Sequence, residues 1–140
     1  MAPHILIVDA DRNAARVTGA LIGRVAPHTT LRYASTPYQG WLAAQCSMPD
    51  MLIIDPGPHN PANTLLIQLC TASWPQLQIV VLTLTRATLA QCRADVHIDK
   101  SVTTTTLVDT LRTVIHGAES DDPQVPWVWD AECRAPVASA

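Results

Sequence analysis

The chain has 140 residues, 48% of them hydrophobic, and a formal net charge of −3. That length suits one domain with a core that needs no disulfide or metal to hold it. No apolar run is long enough to span a bilayer, and the scattered lysines and arginines form no basic stripe for nucleic acid.

The first strand is expected at His4–Val8, too early and too short for a signal peptide, so a cytoplasmic protein is expected. It is wholly apolar after His4, the pattern of a strand covered on both faces. The acidic loop Asp9-Ala-Asp-Arg-Asn13 follows. Arg12–Val25 then places Ala15, Leu21, Ile22 and Val25 on one helical face. A weaker strand falls at 29–34. A second helix, Pro37–Cys46, opens with Ser35 or Thr36 as cap.

Met51–Ile54 is another fully apolar strand and ends in Asp55. Pro61–Ser73 is a helix expected to turn Leu65, Leu66 and Leu69 inward. The strand at 78–82 leads to Thr83. A short helix is expected at 87–93 and a weak strand at 95–98, just ahead of Lys100. The last helix, 103–116, carries Leu107, Val108, Leu111, Val114 and Ile115, and its threonine run suits a cap and first turn.

The order is β-α five times over, which predicts a doubly wound, flavodoxin-like (βα)5 sheet with parallel strands in the order 2-1-3-4-5. Residues 1–117 form this domain. Residues 118–140 read as a Pro-rich acidic tail or linker, with Trp127 and Trp129 either packing back or meeting a partner. Cys46, Cys70 and Cys92 are expected to be buried reduced thiols, and no cysteine or histidine has metal-ligand spacing.

In such sheets ligands bind beyond the carboxyl ends of the strands, where strand order reverses. Asp9 and Asp55 end the two strands that flank this point, and neighbouring strands lie about 4.8 Å apart. Thr83 ends the next strand, and Lys100 follows the fifth. Taken singly, Asp9 or Asp11 can be a helix cap, Asp55 a turn residue before Pro56, Thr83 a strand residue and Lys100 a solvated charge. Together they offer chemistry. A carboxylate nucleophile can take a phosphoryl group as an acyl phosphate, while a Mg²⁺ ion, a hydroxyl and an ammonium group neutralise the phosphoryl oxygens.

These residues resemble the response-regulator receiver family of two-component phosphorelays. Ile5-Leu-Ile-Val-Asp-Ala-Asp11 is similar to its first strand and acidic cluster, Met51-Leu-Ile-Ile-Asp55 to its phosphoacceptor strand, Val80-Val-Leu-Thr83 to its switch strand, and Ile98-Asp-Lys100 to its lysine strand. The resemblance covers about residues 4–116. It implies signal transduction by phosphotransfer from a sensor histidine kinase or phosphotransfer protein to Asp55. Mg²⁺ would be held by Asp9, Asp55 and the Gly57 carbonyl, with Asp11 as a further candidate ligand, and the phosphate would be met by Thr83 and Lys100. Thr83 and His97 would be the switch pair, unless His97 is simply a strand residue at the rim.

The sequence departs from the family pattern where a second acid, the metal ligand, usually follows Asp9: here that position is Ala10. His59 stands where a proline is usual, Ser101 follows Lys100 in place of another proline, and Leu84 replaces a small residue. The interval from Thr83 to Lys100 is also short. Three readings therefore stand side by side. The first is a phosphorylated receiver, alone or as the front of a transcriptional regulator, with a homodimer open. The second is a pseudo-receiver that binds partners without phosphate. The third is a nucleotide or flavin site, disfavoured by an acidic first loop that has no glycine.

Overall fold

A computed structural model describes residues 3–56, 61–83, 95–99 and 102–119. Five parallel strands form one sheet: β1 His4–Val8, β2 Thr30–Ala34, β3 Met51–Ile54, β4 Gln78–Thr83 and β5 Val96–Asp99. Their order is β2-β1-β3-β4-β5, as the alternation of apolar runs and helical segments predicts. Four helices are described: α1 Arg12–Val25, α2 Pro37–Cys46, α3 Pro61–Ser73 and α4 Thr104–Glu119. The helix expected at 87–93 and the tail with Trp127 and Trp129 lie outside the described residues.

Strand side chains alternate between two cores. Ile5, Ile7, Met51, Ile53, Val80 and Leu82 join Ile22, Leu111 and Ile115 on the face covered by α1 and α4. Leu6, Val8, Leu52, Ile54 and Val81 join Ala44, Leu66 and Ile67 on the face covered by α2 and α3. Both faces of every central strand are thus dry, which is why those strands are apolar at each position. Ile53 is fully buried, and truncating such a side chain to alanine costs about 2–5 kcal/mol.

The helix starts follow local chemistry. Thr36 caps α2 by accepting the Gln39 N–H at 3.1 Å, while Gln39 Oε1 accepts from Ser35 N and Oγ. This is close to a capping box and decides between the two expected caps. Thr103 Oγ1 accepts the Thr106 N–H, so α4 begins one residue later than the periodicity suggests. At the opposite edge of the sheet, Asp50 Oδ2 accepts the His4 N–H and Asp95 Oδ2 accepts the Ile79 N–H. These two acids tie down the starts of neighbouring strands, and Asp95 thereby stands just outside β5.

Two expectations need correction. In α3 the inward stripe is Asn63, Leu66, Ile67 and Cys70, while Leu65 and Leu69 are exposed. Because α3 is uncharged and carries apolar residues on more than one side, hydropathy does not mark which stripe meets the sheet. Cys46 is exposed because it is the last residue of α2, beyond its inward positions Gly40 and Ala44. Cys70 is buried as expected, and Cys92 lies outside the described residues.

Candidate functional site at the strand tips

The parallel ladder runs one residue past the assigned strands at the centre of the sheet. Val8 pairs with Ile54, and the Asp55 N–H donates to Val8 O at 3.0 Å. On the other side, the Asp9 N–H donates to Ala34 O at 3.1 Å. Asp9 and Asp55 therefore stand side by side at the ends of β1 and β3, about one strand spacing apart. Strand order reverses between these two strands. Both acids continue the parity of Ile7 and Ile53, toward the α1 side of the sheet.

Asp9 is only 6% exposed. Its Oδ1 accepts the Asp11 N–H at 2.9 Å, which bends the loop between β1 and α1 back over the strand tip. Asp11 has a different task. Its Oδ1 accepts the N–H groups of Asn13 and Ala14, so it is the cap of α1. Ala10, between them, is exposed.

Asp55 is half-buried. The turn after it is held by Asn63, whose Nδ2 donates to Pro56 O at 2.7 Å from a buried position in the first turn of α3. No sequence motif singles out Asn63. Its signal was a lone amide on the stripe 63, 66, 67, 70, where every other position is apolar.

Along β4, Ile54 pairs with Val81, so Thr83 stands one residue beyond the level of Asp55 on the adjacent strand. Thr83 pairs in turn with Asp99, the residue before Lys100. Lys100 itself, like Gly57, His59, Leu84 and Ser101, lies outside the described residues. His97 pairs with Val81 and is 5% exposed. It is a buried residue in the middle of β5 and not a rim residue. Its strand neighbours Val96 and Ile98 face the opposite core, so the alternation carries its side chain to the α3 side.

The donor set suits a hard divalent cation. No group of three or more His, Cys, Asp or Glu gathers among the described residues. Mg²⁺, however, commonly takes one or two carboxylates and keeps several waters, and Asp9 and Asp55 offer such a pair. A groove of about 600 Å³ opens beside Asp9 between α1, β2 and the start of α2, with Arg12, Arg16, Tyr33 and Gln39 in its walls. Asp55 is not among its lining residues, so the groove flanks the paired acids without containing them.

No protein-family model and no curated protein matches the sequence. Solved structures do match. A CheY-like response regulator receiver domain protein from Methanospirillum hungatei JF-1 is 19% identical, the match covering 87% of this chain and all of that one, with a TM-score of 0.69. A LuxR-family two-component response regulator from Aurantimonas sp. SI85-9A1 is 17% identical over 84% of this chain and 87% of that one, with a TM-score of 0.71. A receiver domain protein from Clostridium thermocellum is 19% identical over 85% and 98%, at 0.63. The chain has the fold of response-regulator receiver domains.

Proposed function

We propose that this chain, with its receiver fold, acts as a phosphoryl-accepting receiver in a phosphorelay, with Asp55 as the acceptor. The observation that carries the reading is the pairing of Asp9 and Asp55 at the strand tips where the sheet reverses order. In the proposed step an Asp55 carboxylate oxygen attacks phosphorus on a phosphohistidine of a sensor kinase or phosphotransfer protein. The P–O bond forms as the P–N bond breaks, and the electron pair leaves with the imidazole. Mg²⁺ held by Asp9 and Asp55 supplies positive charge against the phosphoryl oxygens when bound. Asp9 is kept in place for this by the Asp11 N–H, and the Asp55 turn by Asn63. Thr83 and Lys100 are proposed to meet the phosphoryl oxygens, and His97 to respond from inside β5. The added charge would bias the surface around β5 and α4, a signalling output and not catalytic turnover.

Incubation with a small-molecule phosphodonor and Mg²⁺, read by intact mass, is the direct test. One phosphoryl group is expected on the wild type and none on Asp55→Asn. A folded wild type that gains no mass under saturating donor overturns the reading.

A second reading, a pseudo-receiver that binds partners without phosphate, is favoured by one local fact. Ala10 offers no carboxylate, and the next acid, Asp11, is engaged as the α1 cap. It predicts that Asp55→Ala leaves partner binding intact. Loss of signalling in a folded Asp55→Ala protein counts against it.

A further inference from the structure

Residues 33–49 and 60–85 contain no Asp, Glu, Lys, Arg or His. These stretches include all of α2 and α3, the helices over one face of the sheet. The other face is ordinary: α1 carries Arg12, Arg16 and Arg24, and α4 carries Asp109, Arg112 and His116. A helix layer that meets water normally turns charge outward. This layer instead presents Tyr38 and Leu42, one turn apart on α2, at 69% and 43% exposure. On α3, Leu65 and Leu69 repeat the spacing at 53% and 38%.

The core does not require these side chains. Inward positions are separately filled, by Gly40 and Ala44 on α2 and by Leu66, Ile67 and Cys70 on α3. The two helices form one layer, joined where Trp41 of α2 meets Trp74, just past α3, with ring centroids 5.4 Å apart. Gln45 and Gln68, exposed on the same two helices, add neutral hydrogen-bonding groups and no charge.

We propose that this α2/α3 face is a homodimer interface, packed against its own copy about a two-fold axis. In a two-fold contact the same patch meets itself, so any cluster of one charge sign would face its like. A patch with no charge escapes that penalty. The same absence argues against other occupants. Neither α2 nor α3 carries a lysine or arginine to hold anionic lipid or nucleic acid, and Arg32, which reaches the end of α2 from β2, is engaged by the Ala43 and Ser47 carbonyls. Leucine and tyrosine one helical turn apart on two adjacent helices give ridges that can seat between those of an identical layer.

Sedimentation velocity of the full chain over a concentration series tests this. The wild type is expected to shift from monomer to dimer as concentration rises. Leu42→Lys and Leu65→Lys are each expected to stay monomeric throughout, while Val17→Lys, at an exposed apolar position on α1, is expected to dimerise like the wild type. Should a lysine variant lose its circular dichroism spectrum, Leu42→Ser and Leu65→Ser replace it, with a weakened dimer expected. A wild type that is monomeric at every concentration overturns the proposal, and so does a dimer that survives folded variants at both positions.

Discussion

The Asp11 N–H donates to the Asp9 carboxylate at 2.9 Å, while the Asp11 carboxylate turns the other way to cap α1. Two acids two residues apart thus divide the work of the loop. Asp9 stays at the strand tip, and Asp11 starts the helix. The position between them carries no functional group, which makes it the natural place to test the metal reading. Ala10→Asp is expected to raise Mg²⁺ affinity by about tenfold, or about 1.4 kcal/mol, as measured by isothermal titration calorimetry. Unchanged affinity in a folded variant would place the cation away from residue 10.

Removing the cap should show in stability. Asp11→Ala leaves the N–H groups of Asn13 and Ala14 without their acceptor and is expected to cost about 1 kcal/mol in urea unfolding. Asp11→Asn keeps an acceptor oxygen and should recover most of that loss. Equal losses in both variants would mean that the charge of Asp11, and not its cap geometry, matters.

Gly23 and Gly40 are expected to respond to alanine with opposite signs. Nothing lies within 4 Å of a Cβ added at Gly23, so Gly23→Ala should stabilise by about 0.5–1 kcal/mol through helix propensity. At Gly40 the added Cβ would meet Val8 Cγ2 at 2.8 Å and Leu66 Cδ2 at 3.3 Å, where α2 crosses the core. Gly40→Ala should therefore destabilise by about 1–3 kcal/mol, less whatever helix propensity returns. Thermal unfolding of the two variants side by side checks the contrast.

His4 ties stability to pH. Arg32 Nε donates to His4 Nε2 at 2.6 Å, so the imidazole serves as acceptor and must be neutral at that atom. Its pKa is lowered from 6.5 by burial first and by the Arg32 charge second, partly offset by Asp50. With the folded value below the unfolded one, the unfolded chain binds the proton more readily. The His4 contribution is therefore complete above about pH 6.5 and declines as pH falls through the lower folded value. Urea unfolding of wild type and His4→Gln across that range should show the wild type losing its advantage on the acid side. A difference that does not vary with pH would remove His4 as the source.

The described cysteines should differ in reactivity. Cys46 is exposed, whereas Cys70 is buried, with its thiol pushed up to about 11 by burial. Since the thiolate is the reactive form, Cys46 should alkylate rapidly in the native protein and Cys70 only after unfolding. Peptide-level mass mapping of an iodoacetamide time course checks this. Fast labelling of Cys70 would indicate that α3 opens from the sheet.

How much of this was legible beforehand depended on the kind of signal. The elements and their chain order follow from local patterns, while the sheet order, and with it the adjacency of Asp9 and Asp55, follows from the arrangement that five βα units commonly adopt. Four-to-six-residue apolar runs rich in Ile and Val, too short for helices, read as covered strands, and an acid ending such a run then lies at a tip. The acid beside it was not assignable, since Asp11 fits a cap or a ligand equally well by type. Asn63 is not legible in the sequence because its Pro56 partner is seven residues away and is reached only once the turn closes.

The sequence by itself determined the elements, their order and the edge of the sheet where its acids gather, because periodicity and strand sterics act over a few residues at a time. Only the tertiary structure decided which stripe of α3 meets the sheet, that Cys46 is exposed, that His97 is buried within β5, and that α2 and α3 turn leucine and tyrosine to the outside. Those choices turn on which neighbouring surface each helix or strand meets, and a helix such as α3, uncharged and with apolar residues on more than one side, carries no mark of it until the chain has closed around the sheet.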